Sequence, residues 1–136
     1  MHKLITAVVI ACFAVPAYAA GDAAKGEADF KKCKACHSIV KDDGTAVVKG
    51  GKTGPNLFGV IGRTAGTVAD FKYGDGIVAA GAAGVIWDEA LLATYLADPT
   101  TFLKDKTGDA AAKSKMTFKL AKGGEDIAAY LATMKP

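Results

Sequence analysis

Five consecutive residues hold most of the chemistry this sequence could do: Cys33-Lys34-Ala35-Cys36-His37. Two thiols three positions apart, with an imidazole directly after the second, form the pattern by which haem is attached covalently. Each thiol adds across a haem vinyl group to give a thioether. The two-residue gap lets both sulfurs, carried on a helical turn, reach one edge of the porphyrin, and the next residue projects its imidazole towards the iron. Two other chemistries draw on the same residue types. A structural zinc site needs four ligands, usually Cys and His. The sequence holds three cysteines and two histidines, and His2 and Cys12 lie at the extreme N-terminus, so a fourth ligand would have to be a carboxylate. A dithiol redox pair wants a strand before the motif, as in a βαβ unit, and the residues leading into Cys33 read as helix.

If His37 gives a haem iron one ligand, the other can be sought by elimination. No second histidine occurs after His37, which removes a bis-histidine site. Met116, Met134, the lysines or an open position remain. Met134 falls on the apolar stripe of the last predicted helix, where core packing accounts for it. Met116 sits inside the polar run Lys113-Ser114-Lys115-Met116-Thr117-Phe118-Lys119, with no stripe to join, and is taken as the second axial ligand. A His/Met pair closes the iron to small molecules and raises its potential, which suits electron transfer. The rival is an open-site haem enzyme or gas-binding protein, which would need a vacant position and distal acid–base groups.

The elements that must position these residues read as helices and loops. Residues 1–19 form a signal peptide: a basic start, an apolar run over residues 4–15 too short to span a membrane, and the small-x-small site Ala17-Tyr18-Ala19. A lipoprotein box ending at Cys12 is the rival, and would leave an unusually short apolar region. Residues 20–136 make one domain. Asp22 is a helix cap, and Ala23, Gly26, Phe30, Cys33 and His37 form one helical stripe. Gly26 suits close packing against another helix. Residues 41–44 read as a turn, Val47-Val48 as a short strand-like piece, and residues 77–80 as a short helix. Asp88 caps a helix with Leu91, Leu92, Tyr95 and Leu96 on its face, which Pro99 ends. Residues 100–122 are predicted to be a long polar loop with a short helix near 109–113. The last helix follows Gly123-Gly124, with Ile127, Tyr130, Leu131 and Met134 inward.

Composition leaves that domain short of core. From Ala20 onward, 24 of 117 residues are Leu, Ile, Val or Phe, about a fifth, near the level at which disorder is suspected. A buried haem would mend the deficit, so the apo chain is expected to be largely unfolded. The formal net charge of +3 is too small for a nucleic-acid-binding protein.

In order along the chain, Cys33-Lys-Ala-Cys-His37, Lys52-Thr-Gly-Pro-Asn-Leu57, Trp87, Tyr95-Leu96, Pro99 and Lys115-Met-Thr-Phe118 resemble class I c-type cytochromes, and most closely the bacterial cytochromes c2 and c550. The likeness runs from Gly21 to about Met134. It implies an all-α fold of helices and loops wrapped around one covalently attached haem c. It implies that the Pro55 carbonyl takes the His37 Nδ1–H, that Arg63, Tyr73 and Trp87 lie on the propionate side, and that Tyr95 lies near the methionine. Gly26 and Phe30 would pack against the last helix near Tyr130. Ile77 departs from the polar residue of mitochondrial members. The implied activity is that of a periplasmic electron carrier, a monomer and not an enzyme. It would take electrons from a cytochrome bc1 complex and pass them to a photosynthetic reaction centre or cytochrome oxidase. Lys31, Lys32, Lys34, Lys52, Lys113, Lys115, Lys119 and Lys122 flank the two haem-site segments in sequence and are expected to form a docking ring.

Overall fold

The structure is a computed structural model in which residues 19–136 are described. The expected leader, with His2 and Cys12, lies outside the described residues apart from Ala19.

Helix α1 (Ala23–Asp29) opens where Asp22 accepts the N–H groups of Ala24 and Lys25 at 3.0 and 3.2 Å, meeting donors that the first helical turn leaves unpaired. It does not continue to His37. After Asp29 the chain tightens into a 3-10 turn, Phe30–Lys32, and then into hydrogen-bonded turns, with the His37 N–H on the Cys33 carbonyl at 2.9 Å. The cause is visible in the carbonyls. Those of Lys34 and Cys36 accept N–H groups of Gly51 and Gly54, at 2.9 and 2.7 Å, and are not available to a longer helix.

Helix α5 (Gly124–Ala132) crosses α1. Gly26 is where they touch: a Cβ there would collide with the Asp126 carbonyl of α5. Phe30 meets Tyr130 beside this crossing, ring centroids 5.7 Å apart. Helix α3 (Glu89–Ala97), capped by Asp88, also packs on α5. Between α1 and α3 come strands β1 (Ile39–Val40) and β2 (Ala46–Val48), paired antiparallel, and helix α2 (Asp75–Ala82). Strand β2 holds the strand-like piece expected at Val47-Val48, and its pairing with β1 into a small sheet is the addition.

One predicted loop is a helix. Helix α4 (Pro99–Thr107) begins at the proline that was expected only to stop α3. Pro is favoured in the first helical turn, where its missing N–H costs nothing, and Asp98 caps the turn by accepting the Thr101 N–H at 3.0 Å. Phe102 and Leu103 are buried. Gly108, at φ 70°, ends α4 in the left-handed region. Residues 109–113 then make a turn, Ala112 N–H on the Asp109 carbonyl at 3.1 Å, and not the short helix expected. Buried side chains from α2, α3, α4 and α5, with Phe30 from the turn after α1, join in one core, which includes Trp87, Tyr95 and Phe102 as a cluster with centroids 5.1 to 5.5 Å apart.

Candidate functional site

The attachment turn is wrapped by the glycine-rich segment that follows β2. Gly50, Gly51 and Gly54 lie so near it that a Cβ on any of them would strike, respectively, the His37 carbonyl, the Ala35 carbonyl and the His37 ring. Only glycine leaves room for the imidazole at position 54. The next residue fixes the ring: His37 Nδ1 stands 2.8 Å from the Pro55 carbonyl oxygen. A carbonyl only accepts, so Nδ1 carries the hydrogen and donates it. Burial lowers the His37 pKa, with the Pro55 bond opposing, and the neutral ring keeps a lone pair on Nε2. That is the ligand form of histidine, with its partner nitrogen already oriented.

His37 lies on the wall of a cleft of about 490 Å³. Cys33, Cys36, Pro55, Arg63, Tyr73, Trp87, Tyr95 and Met116 line the same cleft. Its deep wall is apolar, from Val60, Leu92, Leu96, Leu103, Ile127 and Leu131, all buried. Ile77 adds to it. The lining residues that are exposed, among them Thr53, Lys72, Lys113, Lys115, Thr117 and Phe118, mark the mouth. A large flat apolar group with two vinyl groups and an iron fits this donor set: two thiols and one imidazole at one wall, a thioether in the lining, and a greasy floor.

Arg63 lines the cleft while its guanidinium donates to the Phe58 and Asn56 carbonyls at 3.3 and 3.2 Å. Two of its five N–H donors are thus used, which leaves donors for an anion. Desolvation lowers its pKa. The Tyr73 hydroxyl accepts the Val68 N–H at 3.1 Å. Tyr95 reaches the Ser114 hydroxyl at 3.2 Å, and that hydroxyl accepts the Met116 N–H at 3.1 Å. The Ser114 N–H in turn donates to Thr100 Oγ1 at 3.1 Å. The Met116 segment is therefore pinned to the junction of α3 and α4. Met134 lies beyond the end of α5, packed against the core and outside the cleft lining.

The competing chemistries fare poorly. Among the described residues, no three His, Cys, Asp or Glu side chains group as a metal site. The Cys33 thiol is pushed up to about 11, mainly by burial. A redox-active thiol needs the opposite shift.

The lysines divide. Lys113 and Lys115 stand at the cleft mouth, together with Lys72, which sequence reasoning missed because it belongs to neither flanking segment. Lys119 is paired with Asp98 at 2.9 Å and Lys32 with Asp29 at 3.5 Å, so both heads are partly spoken for. Lys31, Lys34, Lys52 and Lys122 are exposed and do not line the cleft. Asn56, beside Pro55, was also missed. Among the described residues, no helix is long and apolar enough to cross a membrane.

No family model matches the chain. Individual proteins do. Cytochrome c2 of Rhodobacter capsulatus is 61% identical over 136 residues, spanning 98% of this chain and 98% of the relative. Cytochrome c-550 of Paracoccus versutus is 57% identical over 126 residues, 90% of this chain and 82% of the relative. The solved structure of the Rhodobacter capsulatus cytochrome c2 superposes with a TM-score of 0.82 at 65% identity, over 83% of this chain and 97% of that one. The chain belongs with these proteins to the cytochrome c2 and c-550 family of class I c-type cytochromes, electron-transfer proteins that carry covalently bound haem c.

Proposed function

We propose that this cytochrome is a periplasmic one-electron shuttle, reduced by a cytochrome bc1 complex and oxidised by a photosynthetic reaction centre or a cytochrome oxidase. Haem c, when bound, supplies a ferric/ferrous couple. The protein's own groups do the rest. Cys33 and Cys36 are the thioether donors. His37, fixed by Pro55, and Met116, fixed by Ser114, would hold the iron. Arg63, Tyr73 and Trp87 would meet the propionates, and Tyr95 would stand on the methionine side. Two protein ligands exclude substrates from the iron, so the chain stores and releases electrons without turning over a small molecule.

The observation that carries this reading is the cleft itself. It brings His37 and Met116, far apart in sequence, onto one lining with both cysteines, and its exposed rim is basic and apolar together. Lys72, Lys113 and Lys115 at the rim, supported by Lys31, Lys34, Lys52 and Lys122, meet an acidic face on the membrane partners. Lys32 and Lys119 contribute less, being paired. Rapid-mixing kinetics with each solubilised complex tests the reading. Fast reduction by the bc1 complex and fast oxidation by a reaction centre or oxidase are expected. Failure to exchange electrons with any of them would overturn the shuttle. Avid cyanide binding by the oxidised protein would favour an open-site enzyme.

A further inference from the structure

One side chain ties the His37 partner to the rest of the molecule. Asn56 follows Pro55 directly and makes four hydrogen bonds. Its Oδ1 accepts the Val40 N–H at 2.9 Å and the Phe58 N–H at 3.1 Å. Its Nδ2 donates to the Val40 carbonyl at 2.7 Å. Its own carbonyl accepts from Arg63 Nη2 at 3.2 Å. The amide thus pairs with both main-chain groups of Val40, as a neighbouring strand would, and bolts the segment carrying the Pro55 carbonyl to this β1 residue, three positions beyond His37. The clamp at the Asn56 side chain and the Arg63 bond at the Asn56 carbonyl both fix the residue next to Pro55, so the Pro55 carbonyl has little freedom to leave the imidazole.

We infer that Asn56 is a positioning residue for the electron-transfer centre. It acts through Pro55 to hold the His37 Nδ1–H bond and thereby sets the donor strength of the imidazole. A bond at Nδ1 raises the basicity of the ligating nitrogen, which favours the ferric state and lowers the potential. Loosening the clamp should therefore raise the potential. Loss of methionine ligation would lower it, so the sign separates an effect on the histidine side from one on the methionine side. The inference rests on His37 and Met116 being the axial ligands. The far-red absorption band of methionine-ligated ferric haem reports the methionine side independently.

The test uses the haem-loaded protein and three variants. Asn56→Ala removes the whole amide. Asn56→Ser keeps a short acceptor for Phe58 but cannot span both groups of Val40. Val48→Ala loosens the paired strand β2 without touching the clamp. The readouts are the potential, the far-red band, and solvent exchange of the His37 ring N–H by NMR in the reduced protein. Asn56→Ala should raise the potential, keep the far-red band and speed ring N–H exchange by roughly tenfold, the size expected when a hydrogen bond or two is lost. Asn56→Ser should move the same way by less, and Val48→Ala should leave potential and exchange unchanged. An unmoved potential and exchange rate in Asn56→Ala and Asn56→Ser would overturn the role. So would a falling potential with loss of the band, or an equal response in Val48→Ala.

Discussion

At the scale of single residues, the assignment of Met116 is the one on which most else depends. Its thioether lines the cleft with His37, and its N–H is held by Ser114; Met134 packs elsewhere. Met116→Ala should leave haem attached, because Cys33 and Cys36 are untouched. The oxidised variant should bind imidazole or cyanide readily, lose the far-red band and fall in potential. An unchanged spectrum and potential would transfer the role to Met134. Cys33, Cys36 and His37 stood out in the sequence because covalent attachment demands a type and a spacing, and Met116 because a thioether in a polar run has no stripe to join. Pro55, Arg63 and Tyr95 came only through family likeness. Asn56 and Lys72 came from neither: what matters about Asn56 is which main chain it meets, and Lys72 matters for where its segment folds back onto the cleft mouth.

At the scale of elements, α3 and α5 were read correctly, α1 was expected to run on to His37 and stops at Asp29, and the larger error fell on α4. Its sequence, Pro99 to Thr107, is mostly Thr, Lys and Asp, with Phe102 and Leu103 the buried apolar side chains beyond Pro99 itself. The stripe is too short to show a period, and the start signal, Asp98 before Pro99, doubles as a stop signal for α3. Asp98 also reaches across to the Met116 segment through Lys119. That ion pair and the Thr101 N–H pull the Asp98 carboxyl down from its ordinary 3.8 to about 2. The sign follows from linkage: a depressed folded pKa means stability that is full above the unfolded value and lost as pH falls through the folded one. Stability should therefore fall between about pH 4 and pH 2 more steeply in the natural protein than in Asp98→Asn, which can still cap α4 but cannot pair with Lys119. Thermal melts across that interval measure the difference. Parallel curves would show that the pair contributes nothing to acid sensitivity.

For the whole molecule, the cleft decides whether the chain can fold without haem. It opens against the floor formed by Leu92, Leu96, Leu103, Ile127 and Leu131, which are also the packing faces of α3, α4 and α5. A dry void of about 490 Å³ would cost on the order of 10 kcal/mol at about 24 cal/mol per Å³. That is comparable to the entire stability of a small domain, about 5–15 kcal/mol. Filled with water, the same space would leave those side chains wet and forfeit their burial. Either way the balance tips towards unfolding. A Cys33→Ala/Cys36→Ala variant freed of haem should show little helix by far-UV circular dichroism. Native-like helix content would mean that the helices pack without the cofactor.

On the proposed shuttle reading, charge placement governs how the folded molecule meets its partners. The net charge of +3 is small, yet Lys72, Lys113 and Lys115 gather at the exposed mouth around Thr117 and Phe118. A local field of this kind steers encounter even when the net charge is modest. Phe118, 41% exposed, gives the mouth an apolar contact inside the basic rim. Association with a membrane partner should slow as ionic strength rises towards roughly 0.15 M, where the Debye length shrinks to about 8 Å. Charge reversal at Lys72, Lys113 or Lys52 should lower the on-rate. Reversal at Lys119 should do less than at Lys72, because Asp98 already offsets that charge at 2.9 Å. Lys135, outside the cleft lining, should do least. Stopped-flow rates at several salt concentrations give the order. Equal effects at Lys72, Lys119 and Lys135, or rates indifferent to salt, would show that docking is not organised around the mouth of the cleft.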